Sequence, residues 1–158
     1  MDFKFERWKL LHSVLLFGHS CVKYSISDLH QSTITKCNFD VKDVRVISTS
    51  MDKTCKFWDM KSGVNTITLA AHESVIADMA ATENGQILAT CGWDKLIYLW
   101  DITTGMYRSH GPKALDKIHE GCISCVDFSS DGKILMFHSN KYYIYLFDYD
   151  DHRMSLDS

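Results

Sequence analysis

Residues 50–59, SMDKTCKFWD, and residues 91–101, CGWDKLIYLWD, decide how this chain is read. Each carries an acidic residue, Asp52 or Asp94, then a tryptophan, Trp58 or Trp100, with an aspartate directly after it. Asp52 lies 42 residues before Asp94, and Trp58 lies 42 before Trp100. Reading outward, the hydroxyls Ser48 and Thr90 and the imidazoles His30 and His72 keep the same spacing of 42 without a gap. Such self-similarity marks a repeat architecture, in which a small unit buries its faces only by stacking on its neighbours. A third copy is weaker. His119 lies 47 residues after His72, and Phe147-Asp148 lies 47 after Trp100-Asp101. Five extra residues therefore sit between Trp100 and His119, and residues 105–117, with Gly111-Pro112, read as a lengthened loop. Upstream, Phe17 lies 41 residues before Trp58 and marks the end of a broken earlier copy.

Each copy reads as short strands. Runs 33–39, 44–50, 55–58 and 64–69 are rich in β-branched and aromatic residues and are separated by turn residues. The next copy repeats the plan over 75–81, 86–91 and 96–100, and the last over 122–128, 133–138 and 142–147. No window holds a 3.6-residue apolar period, so almost no helix is expected.

A 42-residue period with a terminal Trp-Asp resembles the WD-repeat β-propeller family, and residues 50–59 and 91–101 carry that resemblance. The resemblance implies an all-β fold, a partial (open) β-propeller of four-stranded antiparallel blades. It divides the chain into a partial N-terminal blade at 1–29, a blade at 30–70 and a blade with a lengthened loop at 71–118. A degenerate blade at 119–150 and a tail at 151–158 follow. At about 42 residues per blade, 158 residues supply fewer than four, whereas closed propellers use about four to eight. The chain is therefore expected to be a truncated product, or to be completed by another propeller segment or a second copy of itself.

Composition narrows the partners. The net charge is −3, against nucleic acid or an anionic membrane as the main partner, since both reward clustered Lys and Arg. With 46% hydrophobic and 23% charged residues, the chain has the balance of an ordinary folded domain. No apolar run reaches the roughly 20 residues of a membrane span. The apolar stretch 10–17 lacks a small-residue cleavage site, and six cysteines without a secretory signal imply reduced thiols. A cytoplasmic or nuclear setting is expected.

His, Ser or Thr, and Asp recurring together invite comparison with a nucleophilic triad. Repetition argues otherwise, because an enzyme needs one triad, whereas a repeat fold needs one set per unit. The resemblance assigns His30, Ser48, Asp52 and Trp58, and likewise His72, Thr90, Asp94 and Trp100, to structural tetrads. In each, Asp accepts from His, His bonds the hydroxyl, and the hydroxyl accepts from the indole N–H. The third copy breaks the pattern, with Lys141 at the Asp position and Phe137 at the hydroxyl position. It is expected to rely on packing through Ile134, Met136, Ile144, Leu146 and Phe147, with Asn140 able to rescue a bond if its turn shifts by one residue. His119, Cys122 and Cys125 contain H-x-x-C and C-x-x-C spacings, a metal or redox pattern. Residues three apart on a strand point to opposite faces and no second pair exists, so no metal, catalytic or cofactor site is assigned.

In the WD-repeat family, the residue before each tetrad Asp, and those three and five after the His, help form a partner-binding face. Here they are Met51 and Trp93, Thr33 and Thr35, Val75 and Ala77, with Cys122 and Ser124 in the third copy. The expected function is a non-enzymatic scaffold for protein–protein contacts. Trp58-Asp59-Met60-Lys61 approximates the Trp-Asp-x-Arg of cullin-ligase substrate receptors, the alternative reading, but an ammonium does not replace a bidentate guanidinium. A hydrolase is the outside alternative and requires a cleft nucleophile that the sequence does not offer.

Overall fold

β-Branched and aromatic residues favour extended backbone, and each extended run ends where a residue turns the chain. Two of these turns place a residue other than glycine, Lys53 and Lys95, 42 residues apart, in the left-handed region at φ 70° and 69°. Each sits just after a tetrad aspartate. Its N–H reaches back three residues, to Ser50 O or Gly92 O at 3.2 Å.

The computed structural model describes residues 30–41, 44–103, 111–115, 120–140 and 144–148, and the backbone of 153–157. The expected partial blade at 1–29, the turn at Lys42-Asp43, most of the lengthened loop, His119 and Lys141 lie outside these described residues.

Among the described residues, three four-stranded antiparallel sheets follow one another, each in chain order. Sheet 1 contains β1 (Ile34–Phe39), β2 (Arg45–Ser50), β3 (Cys55–Asp59) and β4 (Asn65–Leu69). Sheet 2 contains β5 (Ile76–Ala81), β6 (Ile87–Gly92), β7 (Ile97–Asp101) and β8 (Lys113–Leu115). Sheet 3 contains β9 (Ile123–Phe128), β10 (Ile134–Ser139), β11 (Ile144–Asp148) and β12 (Arg153–Asp157). The register repeats between sheets: Thr49 pairs with Cys55, Cys91 with Ile97, and His138 with Ile144. No helix occurs among the described residues.

Each sheet has two apolar faces, here called leading (toward the preceding sheet) and trailing (toward the next). Ile47, Cys55, Phe57 and Leu69 on the trailing face of sheet 1 pack against Met79, Leu88 and Trp100 on the leading face of sheet 2. Ala89, Cys91, Ile97 and Leu99 on the trailing face of sheet 2 pack against Val126, Leu135, Phe137 and Phe147 of sheet 3. Both faces of sheet 2 are thus dry, which explains its near-continuous apolar β6 and β7.

Two outer strands went unread in the sequence. β8 lies within the stretch read as a lengthened loop, and β12 lies within the segment read as a tail. Both are edge strands that pair on one side only, so neither needs the apolar alternation that reveals an inner strand. The packing expected of the third copy also needs correction. Ile134, Met136 and Ile144 are exposed, whereas Leu135, Phe137 and Phe147 are buried. Strand β10 alternates strictly, with Leu135, Phe137 and Ser139 turned inward, so its even-numbered residues point outward.

Candidate functional site

The four residues of the first set come together as one hydrogen-bonded chain. His30 Nδ1 meets Asp52 Oδ2 at 2.8 Å, and His30 Nε2 meets Ser48 Oγ at 2.8 Å. The Trp58 indole N–H donates to the same Ser48 Oγ at 2.7 Å. The second set repeats this geometry. His72 Nδ1 lies 2.7 Å from Asp94 Oδ2 and Nε2 lies 2.9 Å from Thr90 Oγ1, which accepts from Trp100 Nε1 at 2.9 Å. A neutral imidazole protonated on Nδ1 satisfies every member: it donates to the carboxylate and accepts from the hydroxyl, which in turn accepts from the indole. A charged imidazole would leave the hydroxyl proton without an acceptor. Burial disfavours that charge and holds the His72 pKa below its usual value, despite the opposing pull of Asp94.

Asp52 also ties down backbone. It accepts from the Gln31 N–H at 2.8 Å, the Thr54 N–H at 2.9 Å and the Thr54 hydroxyl at 2.6 Å. Burial alone would raise its pKa, but the bonds from Thr54, Gln31 and His30 bring it down to about 2. Asp94 accepts from the Glu73 N–H at 3.0 Å and the Leu96 N–H at 3.2 Å. These bonds clip the turn before the third strand to the chain entering the sheet. Ser48 and Thr90 are buried, so neither hydroxyl faces an open cleft in which it could act as a nucleophile.

In the third sheet the equivalent interior is aromatic. Phe137 is buried and stacks on Tyr145, with centroids 5.1 Å apart and planes 7° from parallel. Asn140 does not shift into the Asp position. Its N–H bonds Cys122 O at 3.3 Å, matching Met51 N–H to Thr33 O at 2.9 Å and Trp93 N–H to Val75 O at 3.0 Å.

Those three bonds define one end of the sheets. Trp93 is 50% exposed and Met51 39% exposed, both on the turns between second and third strands. Thr33 is exposed beside Met51, while Val75 and Ala77 are half-buried. Cys122 is half-buried and its thiol points to Trp93 O at 3.4 Å. Thr35 is used inside the fold: its hydroxyl donates to Ile76 O of the next sheet at 2.7 Å and meets Thr49 Oγ1 at 3.0 Å.

Residues that sequence reading overlooked also join the sheets. Asp78, buried on β5, accepts from Lys36 Nζ of sheet 1 at 2.6 Å and from the Val126 N–H of sheet 3 at 3.1 Å. Lys36 and Asp78 are 42 residues apart, so the repeat register was the available signal. Among the described residues, no group of three or more His, Cys, Asp or Glu side chains is arranged to hold a metal ion. Cys55 and Cys91 are buried, and desolvation pushes both thiols well above their usual pKa; it lifts Cys37 to about 12. After Trp58, the Asp59 carboxylate is engaged locally, accepting from the N–H groups of Lys61 at 3.1 Å and Ser62 at 2.7 Å.

The family model described as WD domain, G-beta repeat matches residues 8–59, 63–101 and 113–140. A guanine nucleotide-binding protein subunit beta of Schizosaccharomyces pombe is 37% identical over 59 residues, covering 37% of this chain and 19% of that protein. Mitochondrial division protein 1 of Neurospora crassa is 31% identical over 91 residues, covering 58% of this chain and 14% of that protein. Apoptotic protease-activating factor 1 of Rattus norvegicus is 29% identical over 111 residues, covering 68% of this chain and 9% of that protein. The chain thus spans a fifth or less of the length of these curated relatives.

Proposed function

Because this chain belongs to the WD-repeat family, we propose that it is a non-enzymatic scaffold for protein–protein contacts, with the loop end around Met51 and Trp93 as its partner-binding face. One observation carries the reading: a tryptophan 50% exposed at the tip of a turn whose backbone is pinned on both sides. A large aromatic held rigidly in water is a poor use of apolar area unless something covers it, and tryptophan is a favoured anchor because it buries much area with few rotamers lost. Thr33 and Val75 supply the carbonyls that fix Met51 and Trp93, so the face is pre-organised.

The tetrads serve the scaffold and not chemistry. Each hydroxyl is tied to an indole inside the sheet stack, and the pattern occurs in both sheet 1 and sheet 2. The partner is another protein; the chain's slight acidity does not favour nucleic acid.

A photo-crosslinking amino acid placed at position 93, at position 51 or at exposed Val64 on the far side of sheet 1 tests the assignment in cells. Discrete crosslinked bands at 93 and 51, absent at 64, are expected. Bands of equal strength at all three positions overturn the proposed face.

A further inference from the structure

Asn140, expected from the sequence only to rescue a bond inside the third sheet, stands on the loop face beside Trp93. It lies 47 residues after Trp93, the spacing of the second and third copies, as Trp93 lies 42 after Met51. Each turn fixes this position by one backbone bond: Met51 N–H to Thr33 O at 2.9 Å, Trp93 N–H to Val75 O at 3.0 Å and Asn140 N–H to Cys122 O at 3.3 Å. Asn140 is exposed, and its carboxamide has no hydrogen-bond partner among the described residues. The face therefore presents a thioether, an indole and an open carboxamide on three consecutive turns.

Cys122 ties the last two together. Its thiol donates to Trp93 O at 3.4 Å and its carbonyl accepts the Asn140 N–H, so one residue sets the spacing between the exposed indole and the exposed carboxamide. Val75, at the same register in sheet 2, has no side-chain donor with which to make that link to Met51. Trp93 and Asn140 are thus the better pre-organised pair on the face. Among the described residues, the exposed charges beside these turns are Lys53, Lys95, Glu73 and Glu120, two of each sign, which selects no charged partner.

We propose that Asn140 is a specificity-determining residue of this face, reading the main chain of an extended peptide whose apolar side chain covers Trp93. A carboxamide offers an acceptor and two donors in one plane. In extended backbone the N–H and C=O of one residue point to the same side, as in the hydrogen-bonded pair of an antiparallel ladder, so a single carboxamide can engage both. A helix offers no such pair along its length, because its N–H and C=O groups are used within it. The indole supplies apolar area with few rotamers lost, and the carboxamide supplies register along the peptide. Asn140 has this role only if the loop end is the partner-binding face, the reading on which the assignment rests.

A phage-displayed library of random linear peptides, selected on the full chain and counter-selected on Trp93→Ala, supplies the probe. A selected peptide is titrated by isothermal calorimetry, unmodified and with each backbone N–H methylated in turn. Asn140→Ala is expected to weaken binding about tenfold, and methylation at one peptide bond to weaken binding to the unaltered protein by a similar factor. Combined, the two changes should cost little more than either alone, because they break the same contact. Circular dichroism checks that Asn140→Ala keeps its strands; should it unfold, the methylation series on the unaltered protein still decides. Peptides that need Trp93 but bind Asn140→Ala within about twofold of the parent, losses that multiply in full, or a peptide with no methylation-sensitive position each overturn the role of Asn140 and leave the face standing. A library that yields no Trp93-dependent peptide overturns the extended partner, while the crosslinks at 93 and 51 decide the face itself.

Discussion

Trp100→Phe takes one donor out of a closed polar chain, and the structure sets the cost. The indole N–H donates to Thr90 Oγ1 at 2.9 Å, and Thr90 is fully buried. A phenyl ring keeps much of the packing against Ile47 and Phe57, so the main loss is a buried hydroxyl stripped of its donor, about 1–3 kcal/mol. The smaller ring adds a partial cavity worth about 1 kcal/mol. We expect a loss of about 2–4 kcal/mol in urea unfolding followed by far-ultraviolet circular dichroism. Trp58→Phe breaks the corresponding bond at 2.7 Å to buried Ser48, but Trp58 is only half-buried, so the smaller ring loses less packing and a cost of about 1–2 kcal/mol is expected. Phe147→Trp brings no gain, because Phe137 fills the hydroxyl position and a larger ring overpacks the cluster by about 1–3 kcal/mol. Thr90→Val and Trp100→Phe should be sub-additive by about 0.5–3 kcal/mol, since the first change already orphans the indole that the second removes. Equal losses at Trp58, Trp100 and Phe147, or strict additivity of the Thr90 and Trp100 changes, would refute the reasoning.

Stability should fall in two steps on acidification. The folded His72 pKa is depressed, so the unfolded chain takes up the extra proton below about pH 6.5 and stability declines from there; Asp52, at about 2 folded against about 3.9 unfolded, withdraws its share between about pH 4 and 2. Urea midpoints unchanged from pH 7.5 to 5, or a His72 ring titrating above 6.5 by NMR, would contradict the first step. Gly92→Ala places a methyl 2.6 Å from Val75 O and 3.0 Å from His72 Nδ1, so a loss of about 1–3 kcal/mol is expected, read from the same urea melts. Trp93→Ala should leave unfolding within about 0.5 kcal/mol of the parent while weakening partner capture by about 2 kcal/mol, whereas Trp100→Ala should cost about 3–5 kcal/mol of folding. Unfolding of the two alanine variants to the same degree would make Trp93 part of the core.

The parts of the fold that the sequence made legible are those fixed by a repeated side-chain requirement. Asp52 and Asp94, Trp58 and Trp100 recur because sheets 1 and 2 each hold their own bond chain, and the period exposed the strands between them. The outer strands β8 and β12 were illegible because an edge strand, paired on one side, needs no such pattern. In the third copy, hydrophobicity alone points to Ile134, Met136 and Ile144 as core; without a tetrad to fix the phase, the sequence leaves open which face of β10 turns inward, and Leu135 and Phe137 take that place. Thr35 carried a partner-contact role by position, yet its hydroxyl joins two sheets. The Lys36–Asp78–Val126 link spans three inner strands, and only the register of one sheet against the next shows which charges meet.

Two tryptophans sit inside bond chains of repeated blades, while a third is exposed on the loop face. Hydrogen exchange of the indole Nε1–H groups by NMR, assigned with single Trp→Phe variants, reads this directly. The Trp100 proton, donated to a buried threonine, should exchange slowest; Trp58 should be protected but less so, and Trp93 should exchange as a solvent-exposed indole does. A Trp93 proton as protected as that of Trp100, or a Trp100 proton exchanging as fast as that of Trp93, would contradict the account.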